Sequence, residues 1–218
     1  MANKKEIEKA GKIFTLLKKE YPDVKSALDF TNPFELLIAT ILSAQSTDAR
    51  VNIVTKDLFK KYKAPEDLIN VPSEELEKDI FSTGFYKAKA RSLKKCCQVL
   101  QDEFNGKVPG NFEDLNKLPG VGRKTASVVA GNAFGIPAVA VDTHVIRLSN
   151  LLGFVDTTDA EKIEYRIKEL LPKEDWIKSS HFLATHGRKI CIARRPKCSE
   201  CVISDLCPSA FKLELKKK

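Results

Sequence analysis

The chain has 218 residues, 43% of them hydrophobic, enough to bury one large core or two small ones. Its 37 Lys and Arg against 29 Asp and Glu leave a net charge of +8, which points to a polyanionic partner such as nucleic acid. The longest apolar runs, LLIATILSA and IPAVAVD, fall well short of the roughly 18 residues that cross a bilayer, so no membrane role is implied.

In chain order, almost every segment reads as a short helix. The opening MANKKEIEKAGKIFTLLKKE places Ile7, Ala10, Ile13 and Leu17 at helical spacing without the continuous apolar stretch of an export signal. The absence of a targeting extension leads us to expect the cytoplasm of a bacterium or archaeon. TNPFELLIATILSA begins a second helix, with Asn32 as cap, Pro33 at the first helical position and Glu35 reaching back in a capping box. ILSAQSTDAR runs into a loop, after which ARVNIVTKDLFKKY sets Val51, Val54, Leu58 and Tyr62 on one helical face.

KARSLKKCCQVLQDEF has Leu93, Leu100 and Phe104 on its apolar side, and Cys96 and Cys97 read as small packing residues there. FEDLNKL, RKTASVVAGNAF, THVIRLSNLL, DAEKIEYRIKELL and WIKSSHFLATHGR complete the helical series, each bounded by Gly, Pro, Asp or Thr. His181 and His186, five apart and on different helical faces, read as ordinary helix residues. No segment shows sustained period-two alternation, so the predicted fold is all-α with short connections.

The composition changes only at the C-terminus. Cys191, Cys198, Cys201 and Cys207 follow the spacing C-x6-C-x2-C-x5-C in a basic stretch with little apolar content. Four thiolates from so short a segment suit either a tetrahedral zinc or an iron–sulfur cluster, and the spacing leaves both open. Between the first two cysteines, IARRPK carries Arg194, Arg195 and Lys197 on a loop that ligands would pin at both ends, ready to meet phosphates without an ordering cost.

FEDLNKLPGVGRKTASVVAG reads as two helices joined by a tight turn. Gly120 and Gly122 are expected to supply positive φ and close backbone approach, and the N–H groups opening the second helix can grip a phosphate. Arg123 and Lys124 follow at the helix end whose dipole favours anions, and Lys124 is expected to be partly buried. An amine nucleophile needs such a positive neighbourhood, which favours its uncharged form. Attack on a sugar carbon also needs a carboxylate, and the candidate is Asp142 in AVAVDTHVIRL, which doubles as cap of the helix from Thr143.

Together LPGVGRKTASVV, VDTHVIRL and the four-cysteine ending make the chain resemble the endonuclease III family, helix-hairpin-helix DNA glycosylases with abasic-site lyase activity, from about residue 5 to residue 208. The resemblance implies a base-excision repair enzyme for oxidised pyrimidines in double-stranded DNA, acting as a monomer. Lys124 would displace the base at C1′ and form a Schiff base, with Asp142 as catalytic carboxylate. The four cysteines would hold a four-iron four-sulfur cluster that organises the DNA-binding loop. Gln45 would fill the hole left by the flipped nucleotide, and Phe85 stands where relatives carry a leucine wedge. Gly120, Gly122, Arg123, Arg194, Arg195 and Lys197 would meet the phosphates. Asp48 and His144 would support the site, although Asp48 reads equally well as a helix cap.

The implied architecture has two lobes: a helical barrel of residues 26–136 containing the hairpin at about 112–132, and a cluster lobe of 1–25 plus 137–218. The cleft between them would place Lys124 opposite Asp142. The alternatives are a glycosylase of the same superfamily directed at ultraviolet dimers or mismatches, and a non-catalytic DNA-binding protein.

Overall fold

The computed structural model describes residues 1–212. Among them are eleven α-helices and no β-strand. None of the helices is long and apolar enough to cross a membrane. The chain divides into two compact units, Ser26–Ile136 and Met1–Lys25 with Pro137–Lys218.

The first unit contains α2 (Pro33–Leu42), α3 (Asp48–Lys61), α4 (Pro65–Asn70), α5 (Ser73–Asp79), α6 (Tyr86–Phe104), α7 (Phe112–Lys117) and α8 (Arg123–Phe134). Apolar α2, buried from Leu36 to Leu42, is its centre and packs on α3, α6 and α8. Helix α6 presents Leu93, Cys96, Cys97 and Leu100 to that core, all fully buried. Burying each such leucine stabilises the fold by roughly 1.5–3 kcal/mol. Burial raises both thiols, Cys96 to about 12 and Cys97 above the ordinary thiol range, so both remain protonated packing groups.

Two helix starts differ from expectation. Asn32 caps α2 by accepting from Glu35 N–H at 3.0 Å, but the Glu35 carboxylate turns to Thr31, accepting from its N–H at 2.6 Å and its hydroxyl at 2.8 Å. The local hydroxyl gives it two donors where a capping box offers one. At α3 the cap is Thr47, whose Oγ1 accepts from Arg50 N–H at 3.2 Å, so Asp48 is the first helical residue. Its charge suits that end of the dipole.

The second unit is built from α1 (Lys4–Glu20), α9 (Thr143–Leu151), α10 (Ala160–Leu170) and α11 (Trp176–Lys189). Asn3 and Glu6 form a reciprocal capping box at α1. Ala10, Ile13, Phe14 and Leu17 are buried against α10 and α11, whereas Ile7, one turn nearer the start of the helix, is exposed. Helices α9 and α11 pack closely through Gly187, where a Cβ would come within 2.9 Å of His144 Nδ1. Two 3-10 turns, Cys198–Glu200 and Ser204–Leu206, are the regular structure of the cysteine-rich segment.

Candidate functional site

Helices α7 and α8 flank the LPGVG turn, which Leu118 and Val121 anchor in the core. Gly120 has φ +80°, and a Cβ there would sit 3.0 Å from Ser92 Cβ, so both conformation and space require glycine. Gly122 differs from expectation. Its φ of −92° and ψ of 177° are open to any residue, and a Cβ would meet nothing within 4 Å. As N-cap of α8 without a side chain it leaves the first helical N–H groups accessible, the arrangement that receives an anion. Arg123 lies 5.5 Å from the centroid of the Phe112 ring, which holds the guanidinium beside the turn. Lys124, the second residue of α8, is exposed and not partly buried as expected, because its position points away from the stripe of Ala126, Val129 and Ala130.

Gln45 and Phe85 are both exposed and both left-handed, with φ of 54° and 50°. Residues other than glycine rarely take this conformation, and each instance costs of order 1–3 kcal/mol. Gln45 follows the end of α2 and Phe85 precedes α6. Together with Ile41, Ala88, Lys89, Ser92 and Gly120 they line one hollow on the first unit. Lys89 is the member that sequence reasoning missed. Only 5% exposed, it donates from Nζ to Leu42 O at 2.7 Å and to Thr83 O at 2.8 Å. Burial pulls its pKa below the ordinary lysine value.

In the second unit Asp142 caps α9, its Oδ1 accepting from Val145 N–H at 2.8 Å, and it is half-buried. The cap fixes where the carboxylate sits. His181 on α11 feels that carboxylate: burial lowers its pKa, Arg188 lowers it further, and Asp142 opposes both. His144 serves the packing of α9 on α11. Its Nδ1 lies 3.4 Å from Arg147 Nη2, which donates to Gly187 O at 3.0 Å and Cys191 O at 2.7 Å.

Cys191, Cys198, Cys201 and Cys207 line a common cavity with about 450 Å³ of space, part of it open to solvent, walled by Leu148, Leu152 and Ile203. The thiols face this cavity without meeting at a point: among the described residues no three His, Cys, Asp or Glu side chains are grouped as one metal ion requires. A cluster, whose ligands are spread over several irons, fits four thiols so arranged. Burial raises the Cys191 thiol to about 11, Arg147 opposing and the other cysteines reinforcing the rise, so a thiolate here would need a compensating positive charge, which iron would supply.

His186, far from an ordinary helix residue, is buried behind this cavity, with Nε2 3.4 Å from Cys201 Sγ and Nδ1 2.9 Å from the Tyr21 hydroxyl. Burial depresses its pKa to about 4, so the ring is neutral, and burial likewise raises Tyr21 to about 12. A metal-bound thiolate accepts, so with Cys201 as a ligand Nε2–H would donate to it and Nδ1 would accept from the Tyr21 O–H. Both Lys89 and His186 fall on the buried stripe of their helix, which is the signal that could have found them. In the loop between the first two cysteines Arg194 and Arg195 are exposed, while Lys197 pairs with Glu200 at 3.3 Å.

Known proteins resemble the chain along nearly its whole length. Residues 38–173 match the HhH-GPD superfamily of base excision DNA repair proteins, and residues 191–207 match the iron–sulfur binding domain of endonuclease III. The second match decides between the metals that spacing left open, in favour of an iron–sulfur cluster. The chain is 48% identical to endonuclease III of Synechocystis sp., over 96% of this chain and 95% of that one. It is similar to a trapped endonuclease III–DNA covalent intermediate, with a TM-score of 0.90 and 46% identity over 97% and 99% of the two chains. A thermostable thymine-DNA glycosylase is more distant, with a TM-score of 0.85 and 27% identity over 94% and 98%. The four cysteines, the Pro-Gly-x-Gly hairpin with its lysine and the capping aspartate therefore have a common explanation: the chain belongs to the endonuclease III family.

Proposed function

We propose that this protein is a bifunctional base-excision repair enzyme, removing oxidised pyrimidines from double-stranded DNA and then cleaving the abasic site. The observation that carries this reading is Lys124, exposed at the start of α8 directly behind a turn built to receive phosphate, in a chain 46% identical to a protein trapped covalently on DNA.

Lys124 Nζ attacks C1′, and the bond to the base breaks with its electron pair leaving on the base, which takes up a proton. The resulting amine expels the ring oxygen to give a Schiff base. Loss of a C2′ proton then breaks the C3′–O bond and releases the 3′ phosphate. Asp142 stabilises the positive charge that develops on the sugar and manages protons, as carboxylates do in glycoside cleavage. The chemistry acts on a base taken out of the stack, with Gln45 and Phe85 entering the duplex in its place. Gly120, Gly122 and Arg123 meet phosphate at the hairpin, and Asp48 and His144 support the site.

Cys191, Cys198, Cys201 and Cys207 hold a four-iron four-sulfur cluster, which keeps the 191–207 loop in shape. Arg194, Arg195 and Lys197 on that loop meet the backbone. We further propose that the protein works as a monomer in the bacterial cytoplasm, on the nucleoid.

Borohydride trapping on a thymine glycol duplex, beside an abasic-site duplex and a T·G mismatch, tests the reading. A covalent adduct on the first two substrates is expected. An adduct on the mismatch in place of thymine glycol would favour the thymine-DNA glycosylase activity of the more distant relative, and no adduct on any duplex would defeat the enzymatic reading. Replacing Arg194 and Arg195 by alanine should weaken binding to all duplexes alike. The slope of log K against log salt should fall by about two, one per lost phosphate contact. An unchanged slope would remove this loop from the interface.

A further inference from the structure

Lys89 is the one buried charged side chain near the hollow that the proposed chemistry leaves unused. Its hydrogen bonds go to two backbone carbonyls, Leu42 O and Thr83 O, and to no carboxylate. Leu42 is the last residue of α2, three before Gln45, and Thr83 stands two before Phe85. The two carbonyls therefore belong to the two segments that end in the left-handed residues Gln45 and Phe85, and the Lys89 side chain lines the same hollow as both.

An apolar side chain at this stripe position would fill the space without the desolvation that a buried ammonium suffers. Its three donors, however, can join carbonyls from two separate chain segments, which no apolar group does. We propose that Lys89 is a positioning residue that ties these segments together, holding Gln45 and Phe85 at the spacing at which both enter one opened base step. The inference rests on the reading of Gln45 and Phe85 as the residues that invade the duplex.

Lys89→Met removes the tie and keeps the bulk. We expect single-turnover cleavage of a duplex abasic site to fall tenfold to a hundredfold, and the fluorescence rise of 2-aminopurine beside the lesion to be lost. Cleavage of the same abasic site in a single strand, where no base step must be opened, should stay within about twofold. In a Gln45→Ala/Phe85→Ala background, Lys89→Met should have no further effect on the duplex, since it acts through those two side chains. Lys89→Gln, which keeps two N–H donors, serves if the methionine variant does not fold, and should show the same split at smaller amplitude.

Equal losses on duplex and single strand would reduce Lys89 to a general structural role and overturn the proposal. So would an unaltered Lys89→Met enzyme alongside an impaired Gln45→Ala/Phe85→Ala enzyme. If that double variant itself leaves the fluorescence rise intact, the duplex-invasion reading fails, and the proposal fails with it.

Discussion

Lys124→Ala is expected to lose base excision and strand cleavage by roughly 10⁴-fold or more while duplex affinity changes by about tenfold or less. The side chain is exposed and makes no contribution to the core, and alanine is a good helix former, so the fold should be unaffected. The groups proposed to receive phosphate, the backbone N–H groups behind Gly122 and the neighbouring Arg123, remain in place. What disappears is the amine proposed to form the covalent bond, and no other lysine stands at the start of α8. Single-turnover rates and fluorescence anisotropy, taken at one salt concentration, check the split. If affinity fell as far as rate, the lysine would be a phosphate contact and the Schiff-base mechanism would lose its nucleophile.

For Asp142 the useful comparison is between two substitutions. Asp142→Asn preserves a side-chain oxygen that can accept from Val145 N–H, because asparagine caps helices about as well as aspartate. Asp142→Ala removes the cap and should cost about 1 kcal/mol of stability. Both remove the charge, so both should slow base excision by about 10²–10⁴-fold. Thermal unfolding should therefore separate the two variants and excision rate should not. An asparagine variant with wild-type excision would leave Asp142 as a helix cap and nothing more.

Legibility in the sequence followed the range of the interaction. Helices were readable because their apolar spacing and end signals are local: Asn32, Pro33 and Asp142 all stand at helix starts. Near misses came where two neighbouring residues could do the same job. Thr47 caps α3 where Asp48 was the candidate, and Glu35 bonds to Thr31 where Asn32 was expected. The hairpin glycines looked equivalent, but only Gly120 is left-handed and pressed against Ser92, a residue 28 positions away. The four cysteines were legible as a group because their spacing is compact.

Lys89 and His186 were not legible. Lys89 in a run of charged residues looks solvated, and its partner Leu42 is 47 residues away. His186 meets Tyr21 across 165 positions. Both stand in the apolar stripe of their helix, but a stripe says that a residue is buried and not which backbone or ring it will find.

The unit that holds the four cysteines is closed by α1, whose Ala10, Ile13 and Leu17 pack against helices made from the far end of the chain. On the ribosome this order has a consequence. Residues 26–136 form a continuous stretch and can fold as they emerge, whereas α1, synthesised first, must wait for α10 and α11. At roughly 5–20 residues per second that delay is on the order of ten seconds, during which the apolar face of α1 is available to chaperones. The set of four cysteines is complete only once Cys207 has been made, so assembly of the cluster would be a late event in the biogenesis of this enzyme.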